Sequence, residues 1–268
     1  MNDNCRCGIC PVCGEATDRI IDFPLLDGSG RTEKKKIHVL CRCERELDKK
    51  IQDRMKREDD MRKIERLRSL SLMDARLKRI RFASFSITEE NRKAFGIAKK
   101  YVEKFPIMLR KGQGILFYGD VGTGKSYTAA VIANELLDRM EAVIMTSFIK
   151  LVDEMGRFER NNGEEADYIQ KLNRASLLII DDLGAERGSD FALEKVYDVI
   201  DSRDRSGKPL ILTTNLEFEY MKKCADIRYS RIYDRIFEMC YPVKMSGQSW
   251  RKKEAVNRFD EMKKLLEG

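Results

Sequence analysis

Long apolar runs are missing from this 268-residue chain, and none approaches the length needed to cross a membrane. The opening MNDNCRCGIC lacks the apolar core of a secretion signal, so a cytoplasmic protein with no membrane partner is expected. Histidine occurs once, at His38, which leaves thiols as the main source of soft metal ligands. Internal repeats and low-complexity tracts are absent. Residues 44–80 contain neither glycine nor proline, so nothing there breaks a helix.

What is present is charge. Charged residues make up 36% and hydrophobic residues 42%, a globular balance with a wet surface. The net charge is +7, and residues 44–81 carry 14 Lys+Arg against 9 Asp+Glu, so +5 of the excess sits in that segment. A basic excess suits an anionic partner such as nucleic acid. It suits a solvated charged helix equally well.

Cysteine is concentrated at one end. Six of the eight fall in the first 43 residues: Cys5, Cys7, Cys10, Cys13, Cys41 and Cys43. In an intracellular chain such clustering points to metal rather than disulfides. Cys224 and Cys240 lie alone and read as small buried side chains. A segment this short and poor in apolar residues cannot fold unaided, and a metal would supply what it lacks.

The pattern divides the chain into an N-terminal module (1–48), a helical connector (49–81) and a larger domain (82–268). The helix expected over 44–80, which supplies the connector, has only a thin apolar stripe of Leu47, Ile51, Met55, Met61, Ile64 and Leu67. From Phe82 onward, strands such as GILFYG, AVIMTS, SLLIID, PLILTTN and YPVKM alternate with amphipathic helices. That alternation predicts an α/β fold with a parallel sheet flanked by helices.

The chemistry starts at GDVGTGKS, Gly119 to Ser126, which fits G-x-x-x-x-G-K-[ST] in full and lies between a strand and a helix. The predicted ATP-binding residues are Gly119, Asp120, Val121, Gly122, Thr123, Gly124, Lys125, Ser126 and Tyr127. Backbone N–H groups and the helix N-terminus would wrap the phosphates, and Lys125 would reach the outer ones. A second strand, LLIIDD, ends in Asp181 and Asp182. Ser126 and Asp181 are predicted magnesium ligands, and Asp182 is placed to orient or deprotonate the attacking water.

With these motifs the chain resembles the AAA+ ATPases, with GDVGTGKS as Walker A and LLIIDD as Walker B. LILTTN ends in Asn215, which resembles sensor 1. RYSRIYDRIF and the later SWR resemble stretches of the DnaC/DnaI/IstB group of helicase loaders and transposition ATPases. The resemblance makes Arg235 the arginine-finger candidate with Arg231 as alternative, and Arg251 a sensor 2 arginine. A finger acts on the neighbour's ATP, so it implies self-association. The paired aspartates imply slow hydrolysis.

CPVCGEAT and HVLCRCERE provide two thiolate pairs about 28 residues apart. They resemble the N-terminal zinc module of DnaI-type and phage loaders, which makes Cys10, Cys13, Cys41 and Cys43 the predicted zinc ligands. Cys5, Cys7 and His38 are alternatives in register, and an iron–sulfur cluster or free thiols are the competing states.

The expected function is loading of a replicative hexameric helicase, with the zinc module and connector holding the helicase and the ATPase domain binding single-stranded DNA. An IstB-type transposase-assisting ATPase shares the ATPase motifs but not the cysteine-rich start. A nucleotide-dependent adaptor that never meets DNA is the third reading. Arg157, Phe158 and Arg160 are candidate single-strand contacts, with Phe158 packing on a helix end as the plain alternative.

Overall fold

The computed structural model describes residues 8–25, 30–70, 76–158, 162–184 and 190–267. The chain divides into two compact units, Met1–Arg62 and Lys63–Gly268.

The first unit contains an antiparallel hairpin of β1 (Asp18–Pro24) and β2 (Thr32–His38), in register from Asp18 opposite His38 to Pro24 opposite Thr32. Helix α1 (Arg42–Leu70) follows, and the division between units falls inside it. Its stripe is solvated: Leu47, Ile51, Met55 and Met61 are exposed, while Ile64 is buried. The expected helix over 44–80 is shorter than its propensity allows. Residues 71–75 lie outside the described residues, and 76–79 form a turn. The Asn134 amide donates to the Leu77 carbonyl at 2.7 Å and the Ile80 carbonyl at 3.0 Å. Leu77 and Ile80 also pack on an apolar cluster of the second unit. These tertiary contacts outweigh a difference in helix propensity of a few tenths of a kcal/mol per residue.

The second unit is built on a five-stranded, all-parallel sheet in the order β4-β5-β6-β3-β7. Its strands are β3 (Gly114–Tyr118), β4 (Val143–Ser147), β5 (Leu177–Leu183), β6 (Leu210–Thr214) and β7 (Cys240–Lys244). Alternate residues of each strand serve opposite faces. Ile115, Phe117, Leu177, Ile179 and Ile211 join the cluster formed with α2 (Glu89–Glu103), α3 (Phe105–Lys111) and α4 (Lys125–Asp138). Leu116, Leu178, Ile180, Leu210 and Leu212 join the cluster on the other face. There they meet α5 (Phe148–Arg157), α7 (Asp190–Arg205), α8 (Phe218–Lys222) and α9 (Ile227–Met239). Helix α6 (Asn162–Arg174) precedes β5, and α10 (Trp250–Leu266) follows β7. Among the described residues, no helix is long and apolar enough to cross a membrane.

One buried side chain ties this second face together. Arg203 is fully buried, and its guanidinium donates to the carbonyls of Leu172, Asn173, Ala175, Ser176 and Pro209. Four of these carbonyls, all but that of Pro209, belong to the end of α6 and the bend after it, where helix carbonyls lack helical partners. Burial pulls the guanidinium down to about 10, so it stays charged at neutral pH. Arg203→Met keeps the bulk and removes every donor. At ~1–3 kcal/mol for each orphaned group, the loss should reach at least about 3 kcal/mol, read as a lower midpoint in chemical denaturation.

Candidate functional site

The phosphate loop occupies the turn from β3 into α4. Gly119, at φ 116°, and Gly122, at φ 82°, hold backbone that side chains seldom adopt. A Cβ at Gly122 would sit 2.1 Å from Ser249 Oγ, so only glycine fits against the start of α10. The carbonyl of Gly122 accepts from Trp250 N at 2.9 Å, which fastens that helix start to the loop. Ser249 caps α10 by accepting from Lys252 N.

Lys125 is nearly buried, and its ammonium donates to the Gly119 carbonyl at 2.8 Å and the Asp120 carbonyl at 2.6 Å. Burial lowers its proton affinity, while Asp182, Asp120 and Asp181 work in the opposite direction. The Thr123 hydroxyl also donates to Asp120, at 2.9 Å. Val121 is exposed.

The two acids close β5 opposite this loop. Burial raises the Asp181 carboxyl and the neighbouring charge of Asp182 raises it further, while bonds from the Thr213 and Ser126 hydroxyls and the charge of Lys125 partly offset the rise. Asp182 lies at φ 66°, a left-handed conformation that Asp tolerates better than most residues. The pairing of β5 with β6 is irregular between Ile180 and Leu183, which accommodates it. Asn215 Nδ2 donates to Asp182 Oδ1 at 3.2 Å. Lys125, Asp181, Asp182 and Asn215 thus gather at the carboxyl ends of neighbouring strands.

A cavity of about 280 Å³ lies beside the loop, lined by Phe85, Asn91, Thr123, Gly124, Tyr127 and Trp250 among others. Tyr127 donates to the Ser84 carbonyl at 3.1 Å and meets Phe85 edge-on. Apolar walls with a few polar groups suit a flat base. Arg251, next to Trp250, is exposed and close enough to oppose the charge of Lys125.

The trailing arginines are placed differently from each other. Arg235, the finger candidate by resemblance, is bound within its own chain. Its Nε donates to Asp201 at 2.7 Å, and its guanidinium lies over the Tyr197 ring. Arg231 is exposed and lines a groove with Asp190, Leu193, Glu194, Tyr197 and Arg228. Of the proposed single-strand contacts, Arg160 lies outside the described residues. Phe158 is partly buried with its ring 5.8 Å from that of Tyr168, and Arg157 pairs with Glu154 at 2.5 Å.

In the first unit the four sulfurs of Cys10, Cys13, Cys41 and Cys43 lie within 4.8 Å of one another. Zinc–sulfur bonds of ~2.3 Å set neighbouring sulfurs about 3.8 Å apart, so this set fits a tetrahedral ion. A turn presents the first pair: Gly14 N donates to Cys10 O at 2.9 Å and Cys10 N to Glu15 O at 2.7 Å. The second pair sits at the N-terminus of α1, whose partial positive charge favours thiolates. Glu44 accepts from Cys41 N and Glu15 from Arg42 N, which fixes that end of the helix. His38 faces Asp18 and Glu44 instead of the sulfurs. Cys5 and Cys7 lie outside the described residues.

Sequence reasoning overlooked Thr213 and Trp250. Two threonines ending an apolar strand, the first of them two residues before Asn215, were the available signal for the first. Trp250 sits in the quoted SWR, but nothing local places its ring beside the phosphate loop.

A parallel sheet with a phosphate loop after β3 and an acid pair closing β5 defines a P-loop protein of the AAA+ type. The chain belongs to the family of IstB-like ATP binding proteins, whose model matches residues 29–257. It is 31% identical over 144 residues to the replicative helicase loader DnaC of Escherichia coli (strain K12), covering 53% of this chain and 56% of that protein. It is 27% identical over 154 residues to the replicative helicase loader DnaI of Bacillus subtilis (strain 168), covering 53% and 48%. The chain therefore spans about half the length of these curated relatives. A solved structure of the DnaC helicase loader superposes with a TM-score of 0.56 at 22% identity, covering 65% of this chain and all of that one.

Proposed function

We propose that this protein is an ATP-hydrolysing loader of a replicative hexameric helicase. The observation that carries the ATPase reading is the convergence of Lys125, Asp181, Asp182 and Asn215 from separate strand ends on one site. The gathered cysteines, together with DnaC and DnaI as relatives, support the loader over an IstB-type transposition role.

Lys125 exchanges its two loop carbonyls for phosphate oxygens when ATP binds. The base lies in the cavity beside Tyr127 and Trp250. Ser126 and Asp181 would hold magnesium, which neutralises phosphate charge and makes a buried carboxylate favourable. Asp182, held by Asn215, orients or deprotonates the attacking water. Arg235 is committed to Asp201, so Arg231 is the better candidate to reach a neighbour's nucleotide, and Arg251 acts on the chain's own. Zinc on Cys10, Cys13, Cys41 and Cys43 holds the N-terminal module, which together with α1 contacts the helicase. With Phe158 engaged by Tyr168, the basic side chains of α1 are the first place to seek single-stranded DNA.

The test is size-exclusion chromatography of the purified protein with the replicative helicase of its host. Co-elution with the hexamer is expected, and separate elution would contradict the loader. Filter binding of single-stranded DNA with and without ATP separates the loader from an adaptor, which would retain no DNA in either condition.

A further inference from the structure

Thr213 uses one hydroxyl to hold both acids of the site. It is 1% exposed and sits in β6, beside the end of β5. Its Oγ1 donates to Asp181 Oδ1, and the same oxygen accepts from Asp182 N at 2.9 Å. A hydroxyl has one proton to give, and here it goes to Asp181. That bond fixes how the carboxylate is turned, and so how it faces the Ser126 hydroxyl and a cation held beside it. The accepted bond holds the Asp182 amide in its left-handed conformation, from which the Asp182 carboxylate meets Asn215.

We propose that Thr213 is a positioning residue for the acid pair, setting the cation-side geometry of Asp181 and the water-side geometry of Asp182 through a single shared hydroxyl. This rests on the ATPase reading. Thr213 touches no nucleotide in this account and acts only through its two neighbours. A valine there has the same shape without the hydroxyl, and a serine keeps the hydroxyl without the methyl.

The experiment compares the parent with Thr213→Val and Thr213→Ser. It measures binding of a fluorescent ATP analogue across a magnesium titration and in EDTA, together with kcat and KM for ATP hydrolysis. Supporting groups behind metal ligands are typically worth ~10–100-fold in metal affinity or activity, so the valine variant should need ~10-fold or more magnesium for half-maximal enhancement of binding. Its kcat should fall by a similar factor, while binding in EDTA stays with the parent. Serine should recover most of both losses. Thr213→Ala repeats the comparison should the valine variant not fold. A valine or alanine variant with the parent's magnesium dependence and kcat overturns the proposal alone. So does a serine variant as impaired as the valine one, because packing would then explain the loss. A parent that binds no ATP with magnesium overturns the ATPase reading, and the inference with it.

Discussion

Lys125→Ala should abolish detectable ATP binding, whereas Asp182→Asn should bind ATP as the parent does and fail to hydrolyse it. The two residues face the same site and do different work. Lys125 is held ready inside the loop by two carbonyls, so its charge is already positioned for phosphate. Each charge-assisted hydrogen bond lost is worth about 1.5–3 kcal/mol, so losing two weakens affinity by roughly 100-fold or more. Asp182 is exposed and contacts Asn215. Asparagine matches its shape and tolerates φ 66° equally well, so the substitution leaves the fold in place. It removes the only property hydrolysis needs there, a carboxylate to orient or deprotonate water, and turnover should fall by about 100-fold or more. Equilibrium binding of a fluorescent ATP analogue and release of inorganic phosphate, measured on both variants, check the split. Equal loss of affinity in the two would remove the division of labour.

The second large effect concerns the cysteines. Purified protein should contain one zinc per chain, and Cys10→Ser or Cys43→Ser should unfold the N-terminal unit while ATP binding persists. Among the described residues of that unit, Cys10 and Cys41 are the only buried apolar side chains. Ile20 and Phe23 of the hairpin are exposed, so the strands cover no core of their own. With nothing else to pay the ordering entropy, metal binding supplies the folding free energy, of order 10 kcal/mol for structural zinc sites. The core of the second unit depends on none of these sulfurs, being built from its own two clusters on the sheet faces. Metal analysis gives the stoichiometry, and proteolysis of the serine variants should remove the N-terminal unit and spare the rest. Iron with a visible charge-transfer colour, or a serine variant as protease-resistant as the parent, would contradict this.

The parts of the site legible in the sequence are those carried by local spacing. GDVGTGKS is one contiguous loop, and its function follows from glycine freedom and a helix N-terminus. That thiols cluster near the start was legible from their spacing, but the choice of Cys10, Cys13, Cys41 and Cys43 over Cys5, Cys7 and His38 came from resemblance, because C-x-x-C occurs in two registers there. The strands of the sheet were legible because burial on both faces leaves apolar runs such as LLII. What could not be read were partners distant in sequence. Nothing around RIYDR says that Arg235 meets Asp201, 34 residues earlier. Nothing in DSRDRS marks Arg203 as the buried arginine and Arg205 as an exposed one. The end of α1 was overestimated because its propensity continues where Asn134 draws the chain into a turn. The left-handed backbone of Asp182 depends on Thr213 and the shifted pairing of β5, which no local pattern encodes.

The central claim is that ATP binding and hydrolysis at this site drive a helicase onto DNA. Its most direct test uses closed circular single-stranded DNA, which a hexameric ring cannot thread unaided. The host's helicase is incubated with the circles, ATP and this protein, and the helicase recovered with the DNA after gel filtration is quantified. The account predicts that the parent raises recovered helicase several-fold over helicase alone and that Lys125→Ala does not. Recovery with the parent no greater than with helicase alone would contradict it.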